Sequence, residues 1–332
     1  MSGAVAGAVG VAFVVTLALV PLVVRFAIGR NLLDVPNPRS SHEIPTPRLG
    51  GLAVVGGVWA AAPFLKGALS LLVIATLAGL VGVLDDLVGL RFWMKAAGQA
   101  VAALVLLFLL PPPILEAAGP LLPAVLLFAV VWIVAVVNAY NFMDGIDGIA
   151  GGTAILNALF LTTLLGTAAL WGAVAGLAAL AAAVAGFMMW NVSPARIFLG
   201  DSGSHFVGFF LGAVALYTQP IDGSPYLAFV VAAATFTPFL FDTAFTLLRR
   251  ARMGKNIFEA HREHIYQRIT PDPAKHRQAS NVYYALTAFS GLAVILAAGG
   301  TPLRLLGGAL LILALCLFMA FLPHLAKEHD YL

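Results

Sequence analysis

Five aspartates lie at the ends of long apolar segments and are the side chains best suited to bind a cation: Asp85, Asp86, Asp144, Asp147 and Asp201. An ionised Asp at the centre of a membrane helix costs roughly 2.5–3.5 kcal/mol, and neighbouring carboxylates repel one another. Such a group is stable if it faces a hydrated cavity and shares a cation. Oxygen ligands suit Mg²⁺ or Mn²⁺, which also bind phosphate oxygens. Alternatively, each Asp simply meets water at a helix end.

The most specific motif runs from Asn138 to Gly152. Asn138, Asn141 and Asp144 recur at i, i+3 and i+6, so they lie near one helical face. A glycine follows both Asp144 and Asp147, which allows a tight backbone and a close approach of a ligand. An EF-hand-like calcium loop is the alternative, but its closing Glu is missing. The motif therefore predicts a polar wall beside a ligand.

A second motif surrounds Asp201, which lies between two glycines just before an apolar segment. Ser202, Ser204 and the first N–H groups of the following helix are suited to bind an anion. Gly-Asp-Ser-Gly also occurs in trypsin-like proteases, but that chemistry requires His and Asp partners on a soluble β-barrel. A membrane-spanning segment follows here instead, so we do not interpret Ser202 as a nucleophile.

The longest polar loop, residues 249–279, contains eight Lys and Arg residues together with His261 and His264. The two histidines are three residues apart and share a helical face. The surrounding cations favour a phosphate site over a metal site. An ordinary basic cytoplasmic loop would explain the arginines but not the histidine pair. A weaker signal is the segment 41–51, in which Arg48 stands between prolines and a glycine pair and could contact a phosphate.

The elements that position these residues must be membrane helices. Of the 332 residues, 61% are hydrophobic and only 10% are charged, whereas soluble domains have about 25% charged residues. Lipid must therefore solvate most of the surface. The single cysteine, Cys316, excludes an intramolecular disulfide.

Apolar runs between polar breaks predict a polytopic all-α bundle of about eleven (10–11) transmembrane helices. One boundary is placed at 166–171, because a helix of residues 152–190 would far exceed the membrane thickness. The predicted spans are 4–28, 49–65, 69–84, 94–110, 121–138, 152–168, 171–190, 205–218, 226–248, 280–298 and 303–322. We expect one transmembrane domain over 1–332, with cytoplasmic loops at about 29–48, 85–93, 139–151, 191–204 and 249–279.

The basic residues orient this bundle. With eleven spans, all Lys and Arg residues except Lys66 and Arg304 fall on one side. The positive-inside rule makes that side cytoplasmic. The N-terminus is then outside and the C-terminus is cytoplasmic, and all five aspartates lie at cytoplasmic helix ends.

These motifs, in this order, resemble the polyprenyl-phosphate N-acetylhexosamine-1-phosphate transferases of bacterial membranes, which form glycosyltransferase family 4. The resemblance covers about residues 30–270. It rests on the Pro-Thr-Pro-Arg48-Leu-Gly-Gly segment, Asp85-Asp86, Lys95 with Gln99, the 138–152 motif, Asn191 to Ser204, and the His261/His264 loop.

The resemblance implies a role for each position. Asp201 is the implied Mg²⁺ ligand, with Asp147 as a second ligand. Asp85 and Asp86 are the implied acidic pair near the lipid phosphate, where Asp85 helps to deprotonate it. The remaining implied catalytic residues are Asp144, Asp147, His261 and His264. The implied substrate-binding residues are Arg48, Lys95, Asn138, Asn141, Asn191, Phe198 and Arg262.

The implied reaction transfers a sugar 1-phosphate of the N-acetylhexosamine type from a UDP-sugar to undecaprenyl or another polyprenyl phosphate and releases UMP. The pattern of the histidine loop is most similar to the O-antigen-initiating subgroup, which uses UDP-N-acetyl-6-deoxyhexosamines. The implied location is the bacterial inner membrane. Mg²⁺ (or Mn²⁺) is the implied cofactor. Both substrates and the membrane are the expected partners, a homodimer is a further candidate, and no nucleic acid is expected.

Two other classes of membrane protein are alternatives. An ion-coupled multi-span transporter also carries intramembrane acids, but it places ionisable groups near mid-membrane and often has inverted repeats. Here the groups lie at one face, and we find no repeat. A CDP-alcohol phosphotransferase also has an Asp-Gly motif, but the Ala-Arg that should follow it is absent.

Overall fold

The computed structural model describes residues 2–36, 43–165, 171–259, 261–270 and 273–328. Almost all of its regular structure is helical. Its two short strands, β1 (Leu33–Asp34) and β2 (Thr46–Pro47), pair antiparallel. The helices are α1 (Ser2–Gly29), α2 (Gly50–Ala60), α3 (Leu69–Val88), α4 (Phe92–Leu109), α5 (Pro113–Glu116), α6 (Leu122–Met143), α7 (Ile149–Leu164), α8 (Trp171–Asn191), α9 (Gly200–Ala215), α10 (Pro225–Ala233), α11 (Thr237–Arg252), α12 (Ile265–Ile269), α13 (His276–Ala297) and α14 (Pro302–Glu328).

The prediction of an all-α polytopic membrane protein is confirmed. Within the described ranges, eight helical segments are long and apolar enough to cross a membrane. Each of the eleven predicted spans contains a helix, but α2, α7 and α9 are shorter than those eight. The count of eleven crossings therefore stays a prediction. Most of the boundary placed at 166–171, and the first two residues of the 41–51 segment, lie outside the described residues.

The ninth predicted span, 226–248, is interrupted. A short 3₁₀ turn, Ala234–Phe236, separates α10 from α11, and Pro238 follows in the first turn of α11. Proline has no N–H to donate to the preceding turn, so the helix is interrupted where the sequence Thr-Pro occurs. The consequence for the site is that α11 forms a separate segment, which carries Asp242.

Helix α9 lies at the centre of the bundle and packs against α2, α3 and α6. Every residue from Ser202 to Ala215 is buried. The surrounding helices therefore shield α9 from lipid. Its 16 residues span about 24 Å, which is less than the roughly 30 Å hydrocarbon core.

Glycines fix the N-terminal end of α9. A Cβ on Gly82 of α3 would lie 2.1 Å from the carbonyl oxygen of Asp201, and one on Gly51 of α2 would lie 2.1 Å from the amide nitrogen of Gly203. Backbone contact at this distance requires glycine. The segment before α9 is held as well, because the Phe198 N–H donates to the Pro47 carbonyl at 2.8 Å. These contacts place Asp201 beside the C-terminal end of α3.

Candidate active site

Lys95 joins two of the predicted aspartates. Its Nζ lies 2.8 Å from Asp85 Oδ2 and 3.2 Å from Asp201 Oδ2. The side chains are 17%, 13% and 25% exposed for Lys95, Asp85 and Asp201, so all three are accessible to a ligand. The Leu90 N–H also donates to Asp85 Oδ1. Helices α3, α4 and α9 thus bring one ammonium and two carboxylates together, and the Lys95 ammonium is shared between both.

Asp86 lies next to Asp85 in sequence but has different contacts. Its carboxylate accepts the N–H of Asp201 at 3.1 Å and the N–H of Ser202 at 2.9 Å, and it is 5% exposed. These two N–H groups belong to the first turn of α9, where intrahelical acceptors are missing. The helix start that we expected to bind an anion therefore already binds the Asp86 carboxylate. The anion held by these two N–H groups is thus supplied by α3, and the binding of a ligand anion by Ser202 and Ser204 stays a prediction.

Asp144 follows the last residue of α6 and is half-buried. Burial, together with the negative charges of Asp201 and Asp86, raises the pKa of the Asp144 carboxyl well above its usual range. The arrangement concentrates negative charge around the start of α9. A cation bound there would relieve this repulsion.

Asp147 and Asn191 connect loops within the protein. Asp147 Oδ2 accepts the Ala195 N–H at 3.0 Å, and its Oδ1 lies 3.3 Å from His276 Nδ1. Burial alone would raise the pKa of Asp147, but these hydrogen bonds hold it below its usual value. Asn191 is 3% exposed; it accepts the Gly148 N–H and donates to the Ile197 carbonyl. Both side chains therefore already have partners within the protein. The metal role of Asp147 and the nucleoside role of Asn191 stay predictions.

The two asparagines of the 138–152 motif contact α4 and α9. Asn138 is buried and donates to Gln99 Oε1 at 2.7 Å. Asn141 donates to Ser204 Oγ at 3.2 Å. Asn138 therefore supports the interior of the bundle, whereas Asn141 lies at the pocket described below.

The loop after α11 is held by one carboxylate. The Glu263 carboxylate accepts hydrogen bonds from Arg249 at 3.0 Å, from Lys255 at 3.0 Å and from Arg250. These three cations of the basic loop therefore have a protein partner already. The rings of His261 and His264 stack with their centroids 5.0 Å apart. Burial, and then the neighbouring His264 and Arg250, lower the pKa of His261 to about 4, so its ring is neutral at pH 7.

A pocket of about 490 Å³ brings several predicted residues together. Lys95, Asn141, His261 and His264 all line it. The lining also includes apolar side chains, called the apolar wall below: Leu90, Phe92, Leu247, Ile257 and Phe258. The rings of Phe92 and Phe258 lie 5.1 Å apart. The pocket therefore combines groups that bind phosphate with a surface that suits a hydrocarbon chain.

Arg48, Phe198 and Arg262 lie around this centre. The positive charge of Arg48 acts on Asp86, and its Nε is buried without a hydrogen-bond partner within the described chain. Phe198 is half-buried, and its backbone bonds to Pro47 of β2 and to Gly50 at the start of α2. Arg262 is half-buried next to the histidine pair. Their contacts with substrate stay predictions.

With this geometry established, comparison with known proteins identifies the family. Residues 68–219 match the profile of glycosyl transferase family 4. A probable undecaprenyl-phosphate N-acetylglucosaminyl 1-phosphate transferase of Bacillus subtilis is 30% identical, over 86% of this chain and 84% of that protein. This chain belongs to glycosyl transferase family 4.

Other relatives agree with this family assignment. A decaprenyl-phosphate N-acetylglucosaminephosphotransferase of Mycolicibacterium smegmatis is 29% identical over 92% of this chain and 84% of that protein. A phospho-N-acetylmuramoyl-pentapeptide-transferase of Heliobacterium modesticaldum is 32% identical over 72% of this chain and 80% of that protein. The resemblance to family 4 inferred from the motifs is confirmed.

The donor set around α9 fits a metal only in part. No three His, Cys, Asp or Glu side chains converge as a metal site within the described portions of the chain. Mg²⁺ is commonly held by one or two carboxylates together with substrate phosphates and water. Asp201, which is partly exposed, and Asp144, whose charge is disfavoured by its neighbours, suit that incomplete kind of site in a family 4 protein.

Sequence reasoning assigned no role to two residues near this centre. His205, one helical turn after Asp201, is fully buried, with Nε2 3.4 Å from Gln99 Nε2 and 3.9 Å from Asp201 Oδ2. Its i+4 spacing from Asp201 was the available signal. Asp242 is fully buried within α11, and an acidic residue in an apolar helix was itself a signal.

Proposed function

We propose that this protein transfers an N-acetylhexosamine 1-phosphate from a UDP-sugar to a polyprenyl phosphate and releases UMP. The observation that carries the proposal is the Lys95 ammonium held between Asp85 and Asp201 at a pocket that also contains the histidine pair. The names of the family 4 relatives, which act on undecaprenyl or decaprenyl phosphate, support it. They give the transporter alternative no support.

In this reaction, an oxygen of the lipid phosphate forms a bond to the β-phosphorus of the UDP-sugar. The bond from that phosphorus to the bridging oxygen breaks, and UMP leaves with this oxygen. Because both reactants are anions, catalysis depends mainly on positioning and on neutralising charge. Lys95 has three donors and can bind a phosphate oxygen while it contacts Asp85. We assign to Asp85 the acceptance of a proton from the lipid phosphate.

Mg²⁺ is the cofactor that we propose, with Asp201 and Asp144 as the residues that would hold it. When bound, it supplies positive charge to the diphosphate of the donor. The protein fixes Asp201 at the first turn of α9 through the hydrogen bond that the Asp201 N–H donates to the Asp86 carboxylate. The assignment of Asp147 as a second ligand requires it to exchange the Ala195 N–H for the metal.

The remaining details of the proposal concern the sugar and the pathway. The names of the Bacillus and Mycolicibacterium relatives favour N-acetylglucosamine as the first donor to test. The 6-deoxyhexosamine donor, the role in O-antigen assembly, the homodimer, the inner-membrane location and the cytoplasmic orientation stay predictions. The apolar wall of the pocket is the surface that we assign to the first isoprene units of the lipid.

The test uses purified protein, undecaprenyl phosphate, Mg²⁺ and a panel of UDP-N-acetylhexosamines, with UMP release as the readout. We expect UMP only when lipid and metal are both present. Asp201→Ala should abolish turnover. Asp222→Asn is a matched control, because Asp222 is exposed and has a positive φ of 48°, which asparagine also tolerates. Near-normal turnover by Asp201→Ala would refute the metal assignment, and no UMP with any donor would refute the proposed reaction.

A further inference from the structure

The Asp242 carboxylate on α11 is fully buried, and its Oδ1 is the acceptor for three groups. Thr246 Oγ1 donates to it at 3.1 Å, and the Ile265 N–H donates at 2.8 Å. His264 Nδ1 lies 3.1 Å from the same oxygen. An ionised carboxylate can only accept hydrogen bonds, so the Nδ1 atom of His264 carries the proton.

The second oxygen, Oδ2, connects further elements. It accepts the Tyr266 N–H at 3.1 Å and the hydroxyl of Tyr283, which lies on α13. The N–H groups of residues 265 and 266 are the first two of α12, which have no intrahelical acceptor. Asp242 therefore links α11, the histidine loop, α12 and α13. A buried charge is tolerated only when it is hydrogen-bonded this extensively.

The consequence concerns His264, which lines the 490 Å³ pocket. The two nitrogens of an imidazole ring lie on opposite edges, and the hydrogen bond of one nitrogen determines the state of the other. With Nδ1 directed at Asp242, Nε2 is the ring nitrogen that remains for a ligand. We propose that Asp242 is a positioning residue that fixes the orientation of the His264 ring, so that Nε2 is the atom presented to the substrate in the pocket. This inference rests on the proposed transferase function of that pocket.

A double-mutant cycle on kcat tests the inference. Loss of a residue that orients a functional histidine through its other ring nitrogen typically lowers activity by about 10- to 100-fold. In the UMP-release assay, we expect Asp242→Asn to lower kcat by a similar factor, with a smaller change in KM. In a His264→Ala background, Asp242→Asn should cause no further loss of kcat, because both changes remove the same function. Thr246→Val is the matched control: it removes a hydrogen bond to the same oxygen but leaves His264 in contact, so kcat should stay close to that of wild type.

The outcomes separate the two claims. Equal losses of kcat from Asp242→Asn in both backgrounds would show that Asp242 supports only the fold, and this result would overturn the inference. The proposed function would still stand, provided that the wild-type protein releases UMP. Absence of turnover by the wild type would refute the function. The Asp242–His264 contact would still be tested by the same cycle on unfolding temperature, which needs no substrate.

A second pair of variants applies if Asp242→Asn does not fold. The amide nitrogen of asparagine at position 264 reproduces Nδ1, whereas the glutamine amide reproduces Nε2. His264→Asn should therefore keep the wild-type unfolding temperature but lose kcat, and His264→Gln should lower the unfolding temperature. Wild-type kcat in His264→Asn would overturn the assignment of Nε2.

Discussion

Asp85 and Asp86 are adjacent in sequence, yet the structure predicts that a change to asparagine lowers mainly stability at one position and mainly kcat at the other. Asp86 uses both oxygens to accept N–H groups at the start of α9, at 3.1 and 2.9 Å. Asparagine keeps one acceptor and turns an NH₂ group towards the other N–H. The Asp86→Asn protein should therefore lose mainly stability.

The size of the effect follows from these two bonds. A hydrogen bond to a charged group contributes roughly 1.5–3 kcal/mol, and a buried N–H left without a partner costs a similar amount. Removing a negative charge close to Asp144 offsets part of this loss. We expect Asp86→Asn to destabilise the protein by about 2–3 kcal/mol, which for a chain of 332 residues corresponds to about 3–4 °C in unfolding temperature.

Asp85→Asn is the matched control for that substitution. It removes one charge from the same cluster, but an amide oxygen can still accept the Leu90 N–H, and no bond to α9 is lost. We expect a smaller change in unfolding temperature and a larger fall in kcat, because Lys95 loses one of its two carboxylate partners and the lipid phosphate loses its proposed proton acceptor. Thermal unfolding in detergent and UMP release measure the two effects. If Asp86→Asn unfolds at the wild-type temperature but is inactive, Asp86 takes part in the chemistry and our argument is refuted.

Three further predictions concern the same centre. Lys95→Met should lower kcat by about 100-fold or more, as the loss of one preorganised charge-stabilising donor does; turnover close to wild type would contradict this role. Asn191→Leu should destabilise the protein by about 2–4 kcal/mol, because it leaves the Gly148 N–H and the Ile197 carbonyl unpaired; an unchanged unfolding temperature would exclude this. A chelator should abolish UMP release, and added Mg²⁺ should restore it; turnover that persists in the chelator would exclude the metal.

The sequence was sufficient to predict the helices and the side chains near the site. Long apolar runs determine membrane helices almost regardless of their neighbours, because backbone groups in lipid must be paired within the segment. The polar residues at the helix ends then had to lie near one another once the basic loops fixed a common side. Lys95 and Asp201 are 106 residues apart, and the structure places them in contact.

The individual partners of those side chains could not be predicted in the same way. Asp147 carries the same motif signal as Asp144, but it bonds to the Ala195 N–H and lies beside His276, both distant in sequence. Which carboxylate is left for a ligand depends on the loop that folds over it. Motif spacing reports the local backbone and contains no information about such tertiary partners.

Asp85 and Asp86 show the physical origin of this difference. Consecutive residues of a helix are separated by about 100° around its axis, so two neighbouring aspartates cannot share one environment. The one directed at α9 replaces the missing acceptors of the first turn, and the other contacts Lys95. An acidic pair at the end of a membrane helix therefore performs two tasks: one carboxylate fixes the helix that carries Asp201, and its neighbour remains accessible to a ligand.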